Sequence, residues 1–399
     1  MSLSLASILA ESAVRHPDRP AVVFAGTATS YRTLWLEARR CAAAFAAAGA
    51  GPGDRIAIML ANGPDFPRAY YGALALGSIV VPVHALLTPD EVAYVLRDSG
   101  AGLLVSAPPL SDTAAAAARM AGVTLLDARD APADAIGAAI PRKPDDDAVI
   151  LYTSGTTGAP KGALLTHGNL AWNATITAFE LLDARPEDVF LGALPLFHSF
   201  GQSVVMNAAF RAGACVALME RFSGDAALHV MEKERVTVYE GVPTMTIALI
   251  EAYKKQPRAI ALKTAMSGGA SLPLAVLEEF ECLFGVPLYE GYGLSETSPV
   301  ASFNQECFGR KPGTVGCGIW GVDLAVARAD LEDRIELLAD GELGEIVIRG
   351  HNIFKGYLNR PEATAAALVD GWFRTGDLGT KDAEGFITIV DRKKDLIIR

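Results

Sequence analysis

Hydrophobic and polar positions along this chain fall into two regimes. Up to about residue 310, Ala-rich helical stretches alternate with short Val/Ile/Leu runs. The pattern predicts helix Leu34–Ala48 before strand Arg55–Leu60, helix Pro89–Asp98 before strand Gly102–Ser106, and helix Ala226–Glu234 before strand Val236–Tyr239. Such alternation implies α/β layers with largely parallel sheets. From about Gly313 onward, Gly/Pro/Asp turns separate short strands such as Glu345–Ile348 and Phe386–Val390, with little helix. The expected architecture is therefore two stacked α/β subdomains over residues 1–320 and a smaller, β-rich, distorted barrel-like subdomain over 321–390, with a stub at 391–399. Ala107–Ala118 and Pro141–Asp147 read as surface connections.

The longest apolar run, Gly72 to Leu87, is broken by Gly77, Ser78, Pro82 and His84. It is too short for a bilayer and predicts a buried helix followed by a strand, without stable membrane insertion. At 399 residues, 51% apolar and 20% charged, the chain is globular and long enough for more than one core. A formal net charge of −11 disfavours a nucleic-acid surface, which needs a basic face. It leaves room for an anionic ligand held locally by amides and a few cations. Cys41, Cys215, Cys282, Cys307 and Cys317 are dispersed without a CxxC pair, which suggests reduced thiols in a cytoplasmic protein. The six histidines show no metal-ligand spacing.

The strongest chemical signal follows the apolar run Ala148–Leu151. Thr153-Ser154-Gly155-Thr156-Thr157-Gly158-Ala159-Pro160-Lys161-Gly162 combines four hydroxyls, three glycines and a lysine. Glycines let successive N–H groups converge on one anion, hydroxyls add donors, and lysine adds a mobile positive charge. The segment reads as a triphosphate-binding loop. It is not a Walker A loop, because Pro160 precedes the lysine and Gly162 follows it. The plainer reading is a solvated Gly/Ser/Thr turn.

Three more clusters follow in order. Gly291-Tyr292-Gly293-Leu294-Ser295-Glu296-Thr297, after the apolar strand Val286–Tyr289, offers an aromatic face, a carboxylate and a hydroxyl. Gly341 to Gly350 runs on to Lys355-Gly356-Tyr357, and Gly371 to Gly379 holds Asp377 in a tight turn. Taken singly, Glu296 reads equally well as a helix-start acid, Tyr292 as a half-buried aromatic and Asp377 as a turn former.

Together these motifs resemble the adenylate-forming superfamily of acyl-CoA synthetases, luciferases and nonribosomal adenylation domains. Within it the chain is most similar to fatty-acid and aryl-acid CoA ligases. The resemblance implies ATP-dependent activation of a carboxylic acid as an acyl-adenylate, with release of pyrophosphate and transfer to CoA. It implies Thr153, Ser154, Gly155, Thr156, Thr157, Gly158 and Lys161 on the β- and γ-phosphates, Thr297 on the α-phosphate, and Glu296 on Mg²⁺. Tyr292 would stack on adenine, with Gly269, Ala270, Ser271, Glu290 and Gly291 around it, and Asp377 with Arg392 would take the ribose.

On the acyl side, Pro195 to Gly201 resembles the family segment whose histidine, here His198, lines the substrate channel. Phe197, Tyr239, Gly241, Val242, Gly268, Gly293 and Leu294 would complete the acyl pocket. No acid near Phe197-His198 matches the aspartate of amino-acid-activating members, which disfavours an amino-acid substrate. Lys394 matches the family hinge, and the chain stops abruptly at Arg399. The expectation is a large N-terminal portion of a two-domain ligase, impaired in adenylation and nearly inactive in thioester formation. Two rivals remain: an acyl-AMP ligase that loads an acyl carrier protein, and a non-catalytic nucleotide-binding module.

Overall fold

The computed structural model describes residues 3–130, 132–153 and 159–393. Three sheets organise it. The largest has nine strands in the spatial order Cys317–Gly318, Val300–Phe303, Leu288–Gly293, Thr264–Ser267, Val238–Gly241, Val189–Gly192, Cys215–Leu218, Pro20–Phe24 and Thr27–Ser30. Its six central strands pair in parallel, and the flanking pairs are antiparallel. The second has seven strands: Gly356–Tyr357, Lys161–Thr166, Asp147–Thr153, Ile79–Pro82, Arg55–Met59, Leu103–Ser106 and Thr124–Asp127. The third is antiparallel throughout and runs between Val322 and Arg392. Two largely parallel α/β layers and a smaller antiparallel sheet are thus present, as the patterning predicts.

Local chemistry explains these elements. Helix Pro89–Ser99 begins with a capping box in which Thr88 Oγ1 accepts from Glu91 N–H and Glu91 accepts from Thr88 N–H. Pro89 occupies its first turn, and Gly100 closes it in the left-handed conformation at φ 66°. The central strands Ile79–Pro82, Leu103–Ser106, Cys215–Leu218 and Thr264–Ser267 are buried along their whole length. Sheets covered on both faces require continuous apolar runs of this kind.

One expectation is overturned. The segment expected to be a surface connection at Ala107–Ala118 instead carries helix Ser111–Ala121, with Ala114, Ala117 and Ala118 buried. A run of alanines is low in complexity, but alanine is also the best helix former and its methyl lets a helix sit close to a neighbour. Gly72–Leu87 resolves into the end of helix Asp65–Ala75 and strand Ile79–Pro82, both buried.

The phosphate-loop motif joins strand Asp147–Thr153 to strand Lys161–Thr166, antiparallel partners with Thr153 opposite Lys161. It is a strand-to-strand hairpin. A Walker A loop instead opens a helix, so the topology agrees with the spacing argument. The strand Gly356–Tyr357 leaves the small-sheet region and pairs with the far edge of this hairpin, Tyr357 opposite Ala163.

Candidate active site

Lys161, Tyr292, Glu296 and Asp377 come from distant parts of the sequence and line one cavity of about 670 Å³. Thr153, Phe197, His198, Gly268, Gly269, Gly291, Gly293, Leu294 and Arg392 line it too. Thr297, Ala270, Ser271, Glu290, Tyr239, Gly241 and Val242 are not among its lining residues. Ser154, Gly155, Thr156, Thr157, Gly158 and Lys394 lie outside the described residues.

Glu296 sits in the short helical turn Ser295–Thr297, just after strand Leu288–Gly293. The strand extends further into the motif than the apolar run suggests. Gly293 permits the sharp return: a Cβ there would lie 1.8 Å from the carbonyl oxygen of Pro299. Thr297 is fully buried and braces this return. Its Oγ1 accepts from Leu294 N–H at 2.8 Å and donates its one proton to the Pro299 carbonyl, with the Leu294 carbonyl also within reach.

Tyr357 Oη donates to Glu296 Oε1, and Phe354 N–H donates to the Glu296 carbonyl. Burial raises the Glu296 carboxyl above its usual range, while the Tyr357 hydroxyl and, less strongly, Lys161 pull it down. Lys161 Nζ stands 5.1 Å from the centre of the Tyr357 ring, so one tyrosine supports both the lysine and the acid. The end of the phosphate loop is anchored as well, because Tyr94 Oη donates to the carbonyl of Pro160.

Asp377 lies on strand Trp372–Lys381 and is nearly buried. Tyr292 Oη donates to its Oδ2 at 2.6 Å, and Arg392 Nε stands 3.1 Å from Oδ1. Burial still raises its carboxyl above the usual range. The turn before it is fixed by Glu345, whose carboxylate takes Arg374 at 2.6 Å and accepts Gly376 N–H at 3.0 Å. Glu290 does not line the cavity, and its carboxylate accepts Gly313 N–H.

The cavity wall at Phe197 and His198 is braced by Asn62, a buried residue with no motif around it. Its amide donates to the Leu194 carbonyl and accepts Leu196 N–H, which fixes the backbone leading to Phe197 and His198. Phe200 N–H donates to His198 Nδ1, leaving Nε2 to carry the proton of the neutral ring. Desolvation in the recess, helped by nearby His84, keeps the imidazole below its usual pKa. His84 itself packs against Phe197, ring centres 4.4 Å apart.

Met266, Phe200, Val204, Tyr357 and Thr375 also line the cavity and escaped the sequence reading. Tyr357, Phe200 and Thr375 had a signal, since each falls within a motif already singled out. The others are apolar or ordinary until the fold brings them together. Tyr239 packs on the far face of its sheet, stacked on Phe280 with its hydroxyl against Thr246.

Sequence and structure comparisons agree on the relationship. The chain matches the AMP-binding enzyme family over residues 9–358. It is 36% identical to the long-chain-fatty-acid–CoA ligase of Bacillus subtilis, over 99% of this chain and 78% of that protein. It is 37% identical to a feruloyl-CoA synthase of Amycolatopsis, over 96% of this chain and 77% of that protein. Among solved structures, ATP-bound MatB from Rhodopseudomonas palustris aligns with a TM-score of 0.90 at 32% identity, covering 100% of this chain and 80% of that one. The N-terminal domain of FACL13 from Mycobacterium tuberculosis aligns with a TM-score of 0.88 at 30% identity, over 98% of this chain and 100% of that domain. With its motifs on one cavity and this match along most of its length, the chain belongs to the AMP-binding, adenylate-forming enzyme family.

Proposed function

We propose that this protein activates a carboxylic acid with ATP and that the acyl group then passes to CoA. The substrate carboxylate oxygen forms a bond to the α-phosphorus as the bond from that phosphorus to pyrophosphate breaks. In the second step the CoA sulfur bonds to the acyl carbon, the thiol proton is lost and AMP leaves. Neither step needs a protein nucleophile; both need positioning and charge neutralisation.

The residues present suit these demands. Tyr292 offers its face to adenine beside Gly269 and Gly291. Asp377 keeps lone pairs for the ribose hydroxyls after meeting Tyr292 and Arg392. Lys161 and Thr153, at the mouth of the phosphate hairpin, suit the β- and γ-phosphates. Thr297 is the family's α-phosphate contact by resemblance, and here its hydroxyl is engaged by the loop carbonyls.

Glu296 fits Mg²⁺. Among the described residues its Oε2 accepts no hydrogen bond, and no group of three His, Cys, Asp or Glu residues is placed to hold a metal. Mg²⁺ prefers one or two carboxylates, with phosphate and water completing the shell. When bound, the ion would neutralise phosphate charge. Phe197, Leu294, Val204 and Met266 give the adjoining space an apolar wall suited to an alkyl or aryl acid.

One observation carries this reading: groups from three sheets converge on a single cavity beside His198. The test is pyrophosphate exchange into ATP with a panel of alkyl and aryl acids, then thioester formation with CoA. Acid-dependent exchange is expected for at least one acid. Mg·ATP binding with no exchange for any acid would leave a nucleotide-binding module and refute the proposal. Acyl transfer to a carrier protein but not to CoA would refute the CoA step alone.

A further inference from the structure

Glu240 is fully buried, and neither of its carboxylate oxygens has a hydrogen-bond partner among the described residues. A position that had only to pack would hold an aliphatic side chain, because an unpaired buried carboxyl is a cost to folding.

Its direction follows from the sheet. Strand Val238–Gly241 pairs in parallel with Thr264–Ser267, and Glu240 stands opposite Met266. Residues in register share a face, and Met266 lines the active-site cavity. Tyr239, the preceding residue, points to the other face, against Phe280. Glu240 therefore lies on the cavity side of the sheet, one strand beyond Met266. The helix Phe200–Asn207, which lines the cavity through Phe200 and Val204, carries another buried oxygen without a partner, Ser203 Oγ.

We propose that Glu240 is a specificity-determining residue that selects carboxylic acids bearing a hydroxyl at the end remote from the reacting carboxylate. This rests on the carboxylate-activation reading above. Met266 is the movable partition: an unbranched thioether with three rotors can swing aside and admit a substrate tail to Glu240. Full burial without a partner for either oxygen favours the protonated form, and it raises the Glu240 carboxyl well above its usual range. A protonated carboxyl offers one donor and one acceptor, and a hydroxyl offers the same pair in return. The cavity's cations, Lys161 and Arg392, stand with Tyr357 and Asp377, so an anionic tail at Glu240 would lie away from both of them.

The experiment uses two matched pairs: 3-phenylpropionic acid with 3-(4-hydroxyphenyl)propionic acid, and octanoic acid with 8-hydroxyoctanoic acid. Pyrophosphate exchange gives kcat/KM, and the rise in melting temperature with acid, ATP and Mg²⁺ gives an independent binding readout. The wild-type protein should favour the hydroxylated member of at least one pair by about tenfold or more, since a site built to bond a hydroxyl rejects the analogue lacking it. E240L should reverse that preference, and E240Q, which keeps a donor and an acceptor, should retain part of it. Equal use of both members by the wild type overturns the proposal whether or not either variant folds. So does an E240L variant that depresses both members alike. Activation of the plain acids alone sinks this inference and leaves the parent reading standing; exchange with no acid sinks both.

Discussion

Tyr357 Oη donates to Glu296 Oε1 across 2.8 Å, tying an edge strand of the second sheet to the acid at the cavity wall. Burial raises the Glu296 carboxyl, and this hydroxyl is the largest influence lowering it. Tyr357→Phe should push it higher, so that at pH 6 a larger fraction is protonated and unable to meet a cation. Mg²⁺-dependent ATP affinity should fall by about tenfold at pH 6, the worth of a hydrogen bond to a charged group, and by less at pH 8. Calorimetric titration at both pH values reads this. An equal loss at both would mean the hydroxyl acts on something other than ionisation.

Arg374 and Glu345 form an ion pair almost wholly removed from water, their side chains 6% and 3% exposed. Arg374→Ala would leave the buried Glu345 carboxylate with Lys393 Nζ at 3.7 Å as its remaining cation, a loss near the lower end of the about 3–5 kcal/mol seen when a buried pair is broken. The double replacement Arg374→Met with Glu345→Leu should recover most of that stability. It should not recover nucleotide binding, because Glu345 also accepts Gly376 N–H and shapes the turn before Asp377. Thermal unfolding and ATP titration of both proteins separate the two effects.

Asp377→Asn tests function against stability. Asp377 has a carboxyl raised by burial, so the folded protein bears a desolvation cost that grows as pH rises above the ordinary carboxylate range. The amide removes that cost and should leave the melting temperature at pH 7 unchanged or higher. Nucleotide affinity should nevertheless fall by about 10- to 100-fold, because charged acceptors hold hydroxyls more strongly than amides do. A parallel fall in melting temperature would make the residue structural.

His167 supplies a pH dependence of stability away from the cavity. It is fully buried, its Nδ1 accepts Leu5 N–H at 3.1 Å, and burial pushes its pKa down to about 4. The unfolded chain takes up a proton near pH 6.5 and the folded protein does not. Stability is therefore complete above about pH 6.5 and is lost as pH falls toward 4, by up to roughly 3 kcal/mol. His167→Asn keeps an acceptor for Leu5 and removes the titration. Its melting temperature should fall less between pH 7 and pH 4.5 than that of the wild type.

Much of this site was legible in the sequence because its chemistry is concentrated in short runs. The lysine of the phosphate loop, Tyr292 with Glu296, and Asp377 sit among glycines that mark tight backbone, and all of them reach the cavity. What escaped is what only pairing creates. Met266 becomes a wall because its strand lies between two others, and Asn62 matters because a loop some 130 residues later comes to rest on its amide. Tyr239 and Glu240 show the limit most sharply. They are neighbours in sequence, and the first was expected in the acyl pocket, yet strand alternation sends them to opposite faces. Ala107–Ala118 misled because composition signals looseness while alanine's helix propensity signals order.

The short strand Gly356–Tyr357 has a mechanical meaning. It is hydrogen-bonded to the lysine-bearing strand of the hairpin, its tyrosine grips Glu296, and the chain on either side of it belongs to the small antiparallel sheet. The small antiparallel sheet is thus tied to both the lysine and the acid through one residue. One tyrosine holds the lysine and the acid of the cavity wall as a yoked pair.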